Sequence, residues 1–194
     1  MPTTAGPRAS RTAAQTREHV LSVAHDLFYW HGIRATGVDT IATQAGVAPT
    51  TLYRLFASKD DLVAAYVERA KLTYQQWFTA AAAAADPRAR ILGVFDELIN
   101  QVQPHQCRGC PFLMALAEVP DPAMAAHRHA VELKAWVRDQ LAELTTALDA
   151  RDPAMLADQL ALVMEGVYAS VQALGADGPA RRARALAAQL LDLG

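Results

Sequence analysis

Thr50, Thr51, Tyr53 and Arg54 fall within one short run. Two hydroxyls, a phenol and a guanidinium are groups that reach base edges and phosphates in a DNA major groove. A second cluster is Cys107-Arg108-Gly109-Cys110. Such a Cys-x-x-Cys pair can chelate a metal, form a reversible disulfide, or pack as two buried thiols. Zinc needs two further ligands. His105, Glu118, His127 and His129 are near in sequence, but no second pair stands at a fixed spacing. Arg108 beside a thiol favours the thiolate, which makes redox switching chemically available. A third group is aromatic or soft: Tyr66, Tyr74, Trp77, Phe78, Phe95, Phe112, Met114, Trp136, Met164 and Tyr168. Most of these are expected in the core. Some are expected to line an apolar cavity with a few polar tips, suited to a small apolar or aromatic molecule.

The first cluster needs an element that turns it outward. Residues Ile41 to Phe56 read as two short helices crossing at a tight turn. Ile41 and Ala45 lie four apart on one face, and Ala42 is small where the second helix passes closest. Gly46 leaves the first helix with φ > 0, which glycine does without steric cost. Val47 turns inward, and Leu52, Leu55 and Phe56 make the buried stripe of the second helix. Pro49 fits the first helical position, whereas Ala48 is a poor cap.

The surrounding segments read as further helices. Residues 1–12 are expected to form a disordered basic arm carrying Arg8 and Arg11. A first helix runs from Ala13 to Tyr29 or Trp30 and ends at His31-Gly32. Thr36, with Asp39 three residues on, predicts an N-cap for the next helix, whose free N–H groups can hold a phosphate. Ser58, followed by Asp60 and Asp61, predicts the cap of a long helix to about Ala85 containing Leu62, Tyr66, Leu72, Trp77 and Phe78. Lys59 sits at that helix start, where the macrodipole disfavours a cation, and a DNA phosphate beside it would remove the conflict. Beyond Asp86-Pro87 come a fifth helix over Ile91 to Val102, a break from Pro104 to Pro111, a short helix over Phe112 to Glu118, and a long one over Ala123 to Leu148 with Val131, Leu133 and Leu141 as apolar points. An eighth helix follows Asp152-Pro153 and stops at Gly175, and a last one follows Gly178-Pro179.

Composition sets wider bounds. The chain has 194 residues, is rich in alanine and leucine, and lacks β-branched runs, which favours an all-α fold. Its net charge is −2, so it is not a generally basic nucleic-acid binder. Residues 1–60 carry six Lys/Arg against four Asp/Glu and the rest twelve against sixteen, which places any nucleic-acid face in the first third. No apolar run reaches the ~20 residues of a membrane span. The N-terminus shows no apolar signal segment, so no membrane partner and a cytoplasmic location are expected. No HExxH, GxSxG, Walker-type or GxGxxG run is present, so no enzyme activity and no cofactor are expected.

The runs Gly32 to Ala42, Ala45 to Phe56 and Ser58 to Leu62 together resemble the N-terminal domain of the tetracycline-repressor (TetR, AcrR-like) family, over roughly residues 16–66. The resemblance implies about nine helices in two domains. A helix-turn-helix DNA-binding domain would occupy 13–57, and a ligand-binding and dimerisation domain 58–194. It implies a homodimer joined by the last two helices, bound to double-stranded operator DNA as a repressor and released by a small-molecule effector. By position, the implied DNA contacts are Thr36, Gly37, Thr50, Thr51, Tyr53, Arg54 and Lys59. Pro49 departs from the lysine, glycine or serine of many members. Gly109-Cys110-Pro111-Phe112 resembles a stretch in a subgroup of the family, where it reads as structural. A thiol-redox or metal-responsive regulator using Cys107 and Cys110 stands as the alternative.

Overall fold

A computed structural model describes residues 11–103, 107–175 and 177–193. Among these the chain forms nine α-helices, one 3-10 turn and no strand. The helices are α1 (Ala13–His31), α2 (Val38–Ala45), α3 (Pro49–Leu55), α4 (Lys59–Ala81), α5 (Pro87–Gln101), α6 (Pro111–Glu118), α7 (Ala125–Ala147), α8 (Pro153–Leu174) and α9 (Ala183–Leu193); the 3-10 turn (Pro179–Arg182) precedes α9. The chain divides into two compact units, Met1–Leu62 and Val63–Gly194. Most of the expected arm lies outside the described residues. Thr12, assigned to the arm from sequence, instead caps α1. Its hydroxyl accepts from the Gln15 amide at 3.2 Å, and the Gln15 side chain accepts from the Thr12 amide at 2.9 Å.

The first unit packs α1, α2 and α3 around Val20, Phe28, Ile41 and Leu52. The α2–α3 turn forms as the spacing predicts: Gly46 has φ 64 and ψ 35, and the Val47 amide donates to Ala42 O at 3.0 Å. Leu52 and Phe56 are buried, while Leu55 and Val47 are only half-buried, so the inward stripe is narrower than expected. Thr36 is not the cap of α2. Gly37 occupies that position without a side-chain bond, and the buried Thr36 hydroxyl donates to Gly32 O at 2.7 Å. A hydroxyl shut off from water needs a partner, and the carbonyl at the end of α1 supplies one.

The second unit is a helical bundle in which α7 packs on α6 and α8, and α9 packs on α5 and α8. Asp86 caps α5 and Asp152 caps α8, each accepting from the amide three residues on. The α4 helix stops at Ala81 rather than Ala85, and residues 82–86 turn into α5. Leu72 and Val131, read as core points, are exposed, whereas Leu133 and Leu141 are fully buried. Among the described residues one helix, α8, is long and apolar enough to be compared with a membrane span. It has 22 residues, and 18 consecutive ones among them reach a mean hydropathy of 1.2, the length and composition of a span. Its apolar character instead serves packing: Leu156, Leu160, Val167 and Val171 are buried against α7, α9 and the 3-10 turn. The break from Pro104 to Pro111 is described only from Cys107 on, so His105 lies outside the described residues.

Candidate nucleic-acid interface and helical-domain cleft

In the first unit the sequence separates an inner from an outer face on α3. Leu52 and Phe56 hold the helix to the core, while Thr50, Tyr53 and Arg54 are exposed and Thr51 is half-exposed. Tyr53 is 52% exposed, far more than a packed aromatic would be, so its phenol is available to an outside surface. Pro49 starts α3 without a side-chain cap. Gly37 is exposed at the start of α2, beside uncapped amide groups. Because the Thr36 side chain is buried, only its backbone is left to meet a phosphate. Lys59 is half-buried at the first position of α4, one residue beyond Ser58. The Ser58 hydroxyl accepts from the Asp61 amide at 3.0 Å, which is the cap the sequence predicts.

Two side chains of α1 that the motif does not include position this surface. The His19 ring donates through Nε2 to Ala45 O at 3.0 Å, tying α1 to the last turn of α2. The Arg17 guanidinium lies 4.7 Å from the centroid of the Phe56 ring, at the end of α3. Their partners are distant in sequence, so no local spacing pointed to either.

In the second unit a half-open cleft of about 420 Å³ lies between α7 and α8. Its lining takes Tyr74, Met164 and Tyr168 from the expected set and adds Lys134, Val137, Arg138, Asp158, Ala161, Leu162 and Glu165. The Tyr74 hydroxyl donates to Tyr168 Oη at 2.7 Å and lies 3.7 Å from Cys110 Sγ. Burial, then the neighbouring Tyr168 and Cys110, hold the Tyr74 phenol well above its ordinary pKa. Lys134 Nζ is 2.5 Å from Glu165 Oε1 and sits 5.7 and 5.8 Å from the ring centroids of Tyr74 and Phe112. Arg138 Nε donates to Asp158 Oδ1 at 2.6 Å on the outer side.

The other expected cavity residues are not part of the lining. Tyr66, Phe95 and Phe112 are fully buried core, Trp77 packs on Tyr74 at 4.4 Å, and Phe78 meets Trp136 edge-on at 5.1 Å. Met114 is half-buried on α6. The lining members missed from sequence are mostly charged. One signal was available: Asp158 and Glu165 are the only charged residues of α8 and stand seven apart, on one face. Cys107 and Cys110 are buried and not joined in a disulfide, and no group of three or more His, Cys, Asp or Glu among the described residues is placed to hold a metal. The thiol-redox and metal readings draw no support from this arrangement.

Comparison with known proteins agrees with the geometry. Residues 20–66 match the model of bacterial regulatory proteins of the tetR family. The HTH-type transcriptional regulator YjdC of Escherichia coli K12 is 28% identical over 152 residues, covering 77% of this chain and 80% of that protein. The crystal structure of a putative TetR transcriptional regulator from Streptomyces avermitilis is 32% identical, covers 92% of this chain and 97% of its own, and superposes with a TM-score of 0.78. A TetR-family regulator from Streptomyces coelicolor is 29% identical, covers 92% and 95% of the two chains, and reaches a TM-score of 0.87.

Proposed function

Because this chain belongs to the TetR family of DNA-binding transcriptional regulators, which are not enzymes, we propose that it acts in the cytoplasm as a homodimeric repressor released from a pseudopalindromic operator by a small molecule. The observation that carries this reading is the division of α3. Its inner residues Leu52 and Phe56 are buried, and Thr50, Thr51, Tyr53 and Arg54 are turned outward together. Laid in a major groove, those four would meet base edges and adjacent phosphates. Gly37 with the Thr36 backbone, and Lys59, would bind phosphates on either side. In this division of labour residues 13–57 read DNA and residues 58–194 sense the effector and dimerise.

The homodimer is supported by exposed apolar side chains concentrated on α8 and α9. Leu162 is 71% exposed, Leu174 65%, Leu186 45% and Met155 54%. Leu162 and Leu186 line one apolar groove with Val163 and Val167, between the middle of α8 and the start of α9. Such a groove, flanked by further exposed apolar side chains on the same two helices, fits burial against a second copy of itself. Two heads on one dimer would span half-sites about 34–36 Å apart, one turn of DNA. The cleft between α7 and α8 is the proposed effector site. A ligand that binds one arrangement of the helical domain better shifts the population away from the arrangement that spans two grooves.

Selection of bound duplexes from a random-sequence pool, followed by footprinting, tests the reading. Two symmetric half-sites protected by two chains are expected. A single asymmetric site protected by one chain would overturn it.

A further inference from the structure

The cleft between α7 and α8 carries a chemical preference of its own. Its walls are Val137, Ala161, Leu162 and Met164, and its base is the Tyr74–Tyr168 phenol pair. Its four charged groups are already paired across the two helices, Lys134 with Glu165 and Arg138 with Asp158. The lining is therefore electrically balanced. A charged ligand would have to leave water with no unpaired counter-charge to meet it, whereas a neutral one would not. One polar atom is left over. Glu165 gives Oε1 to Lys134 at 2.5 Å, but its Oε2 is buried with no hydrogen-bond partner. A carboxylate oxygen in that position is an unused acceptor.

We propose that this cleft takes a neutral, mainly apolar ring compound bearing one hydrogen-bond donor, and that the Glu165 carboxylate accepts from that donor. The inference rests on the effector reading above and specifies the ligand's chemistry. Glu165 is only partly buried as a side chain, and the terminal torsion of a glutamate is broad. Its carboxylate therefore turns to present an oxygen to a ligand while the Lys134 pair is kept. The apolar walls hold the ring, and the cleft volume of about 420 Å³ falls in the ordinary range for small-molecule sites. A site built to accept from a donor discriminates against the same ring without one, because its acceptor then stays unmatched.

Calorimetric titration of the full chain at neutral pH with three probes tests this: 2-naphthol, its methyl ether 2-methoxynaphthalene, and the anion 2-naphthoate. We expect 2-naphthol to bind about tenfold or more tightly than either of the others, the size of one charge-assisted hydrogen bond. Glu165→Met should remove the advantage of naphthol over its ether, and Lys134→Met, which keeps the carboxylate, should preserve it. Circular dichroism reports whether each variant is folded, and the wild-type comparison decides the matter if one is not. Equal binding of naphthol and ether, tightest binding of naphthoate, no binding of any probe, or a preference that survives in folded Glu165→Met would each overturn the proposal. The titration contains no DNA. Failure of bound naphthol to release operator would count against the effector reading and leave donor recognition standing.

Discussion

Replacing Gly46 isolates the cost of one backbone conformation at the hinge of the DNA-reading motif. The residue sits at φ 64 and ψ 35, and its amide donates back to the end of α2. A Cβ added there meets nothing within 4 Å, so Gly46→Ala pays no steric clash with neighbours. What remains is the torsional penalty of a left-handed alanine, about 1–2 kcal/mol. The lost freedom of the unfolded chain returns about 0.4–1 kcal/mol of this. The net loss is about 1 kcal/mol, or roughly a fivefold rise in local opening. Gly46→Asn should cost less, because asparagine tolerates this region, and Gly46→Val should cost more. Hydrogen exchange of amides in residues 38–56 measures the opening directly. The ordering Gly, Asn, Ala, Val in falling protection is expected. If Asn is as damaging as Ala, or Ala leaves protection unchanged, the torsional account is wrong.

Four further outcomes are expected. Tyr53→Ala should cost about 1–3 kcal/mol on operator DNA and much less on random DNA in gel-shift titrations; an equal loss on both would make Tyr53 a backbone contact only. Lys59→Ala should reduce the slope of log affinity against log salt by about one unit with sequence preference intact, and an unchanged slope would remove it from the phosphate contacts. Leu162→Glu puts a charge where the side chain is already 71% exposed, so folding should persist while light scattering shows the dimer replaced by monomer; a persistent dimer would move the interface elsewhere. The Tyr74 phenol is held above its ordinary pKa in the folded chain, so its contribution is fully present below about pH 10 and is lost as pH rises further. Urea midpoints should therefore fall more steeply above about pH 10 in the native chain than in Tyr74→Phe, and parallel curves would refute the linkage.

The motif around Gly46 was legible because its determinants are local. A turn needing φ > 0, a proline at a helix start and two apolar residues four apart all act within a few residues of each other. Thr36 misled for the same reason: its spacing to Asp39 fits a capping box, but burial against the end of α1 redirected its hydroxyl. The end of α4 was misplaced because the alanines after Ala81 offer no punctuation before Asp86-Pro87. The cleft was only partly legible. Aromatic content suggested Tyr74 and Tyr168, yet which of the other rings became core depended on how α4, α6, α7 and α8 pack. Lys134 and Glu165 are 31 residues apart and Arg138 and Asp158 20 apart, on two consecutive helices, and pairing over such separations has no local signature. His19 and Arg17 were missed in the same way.

The separation of anchors from reading groups on α3 bears on how such a protein diverges after gene duplication. Leu52 and Phe56 secure the helix from one side, and Thr50, Tyr53 and Arg54 are exposed, where substitutions usually cost little stability. A copy can exchange those side chains one at a time and pass through folded intermediates at every step. Its target sequence can drift while its scaffold stays constant, and the number of operators within reach is limited by groove chemistry and not by foldability.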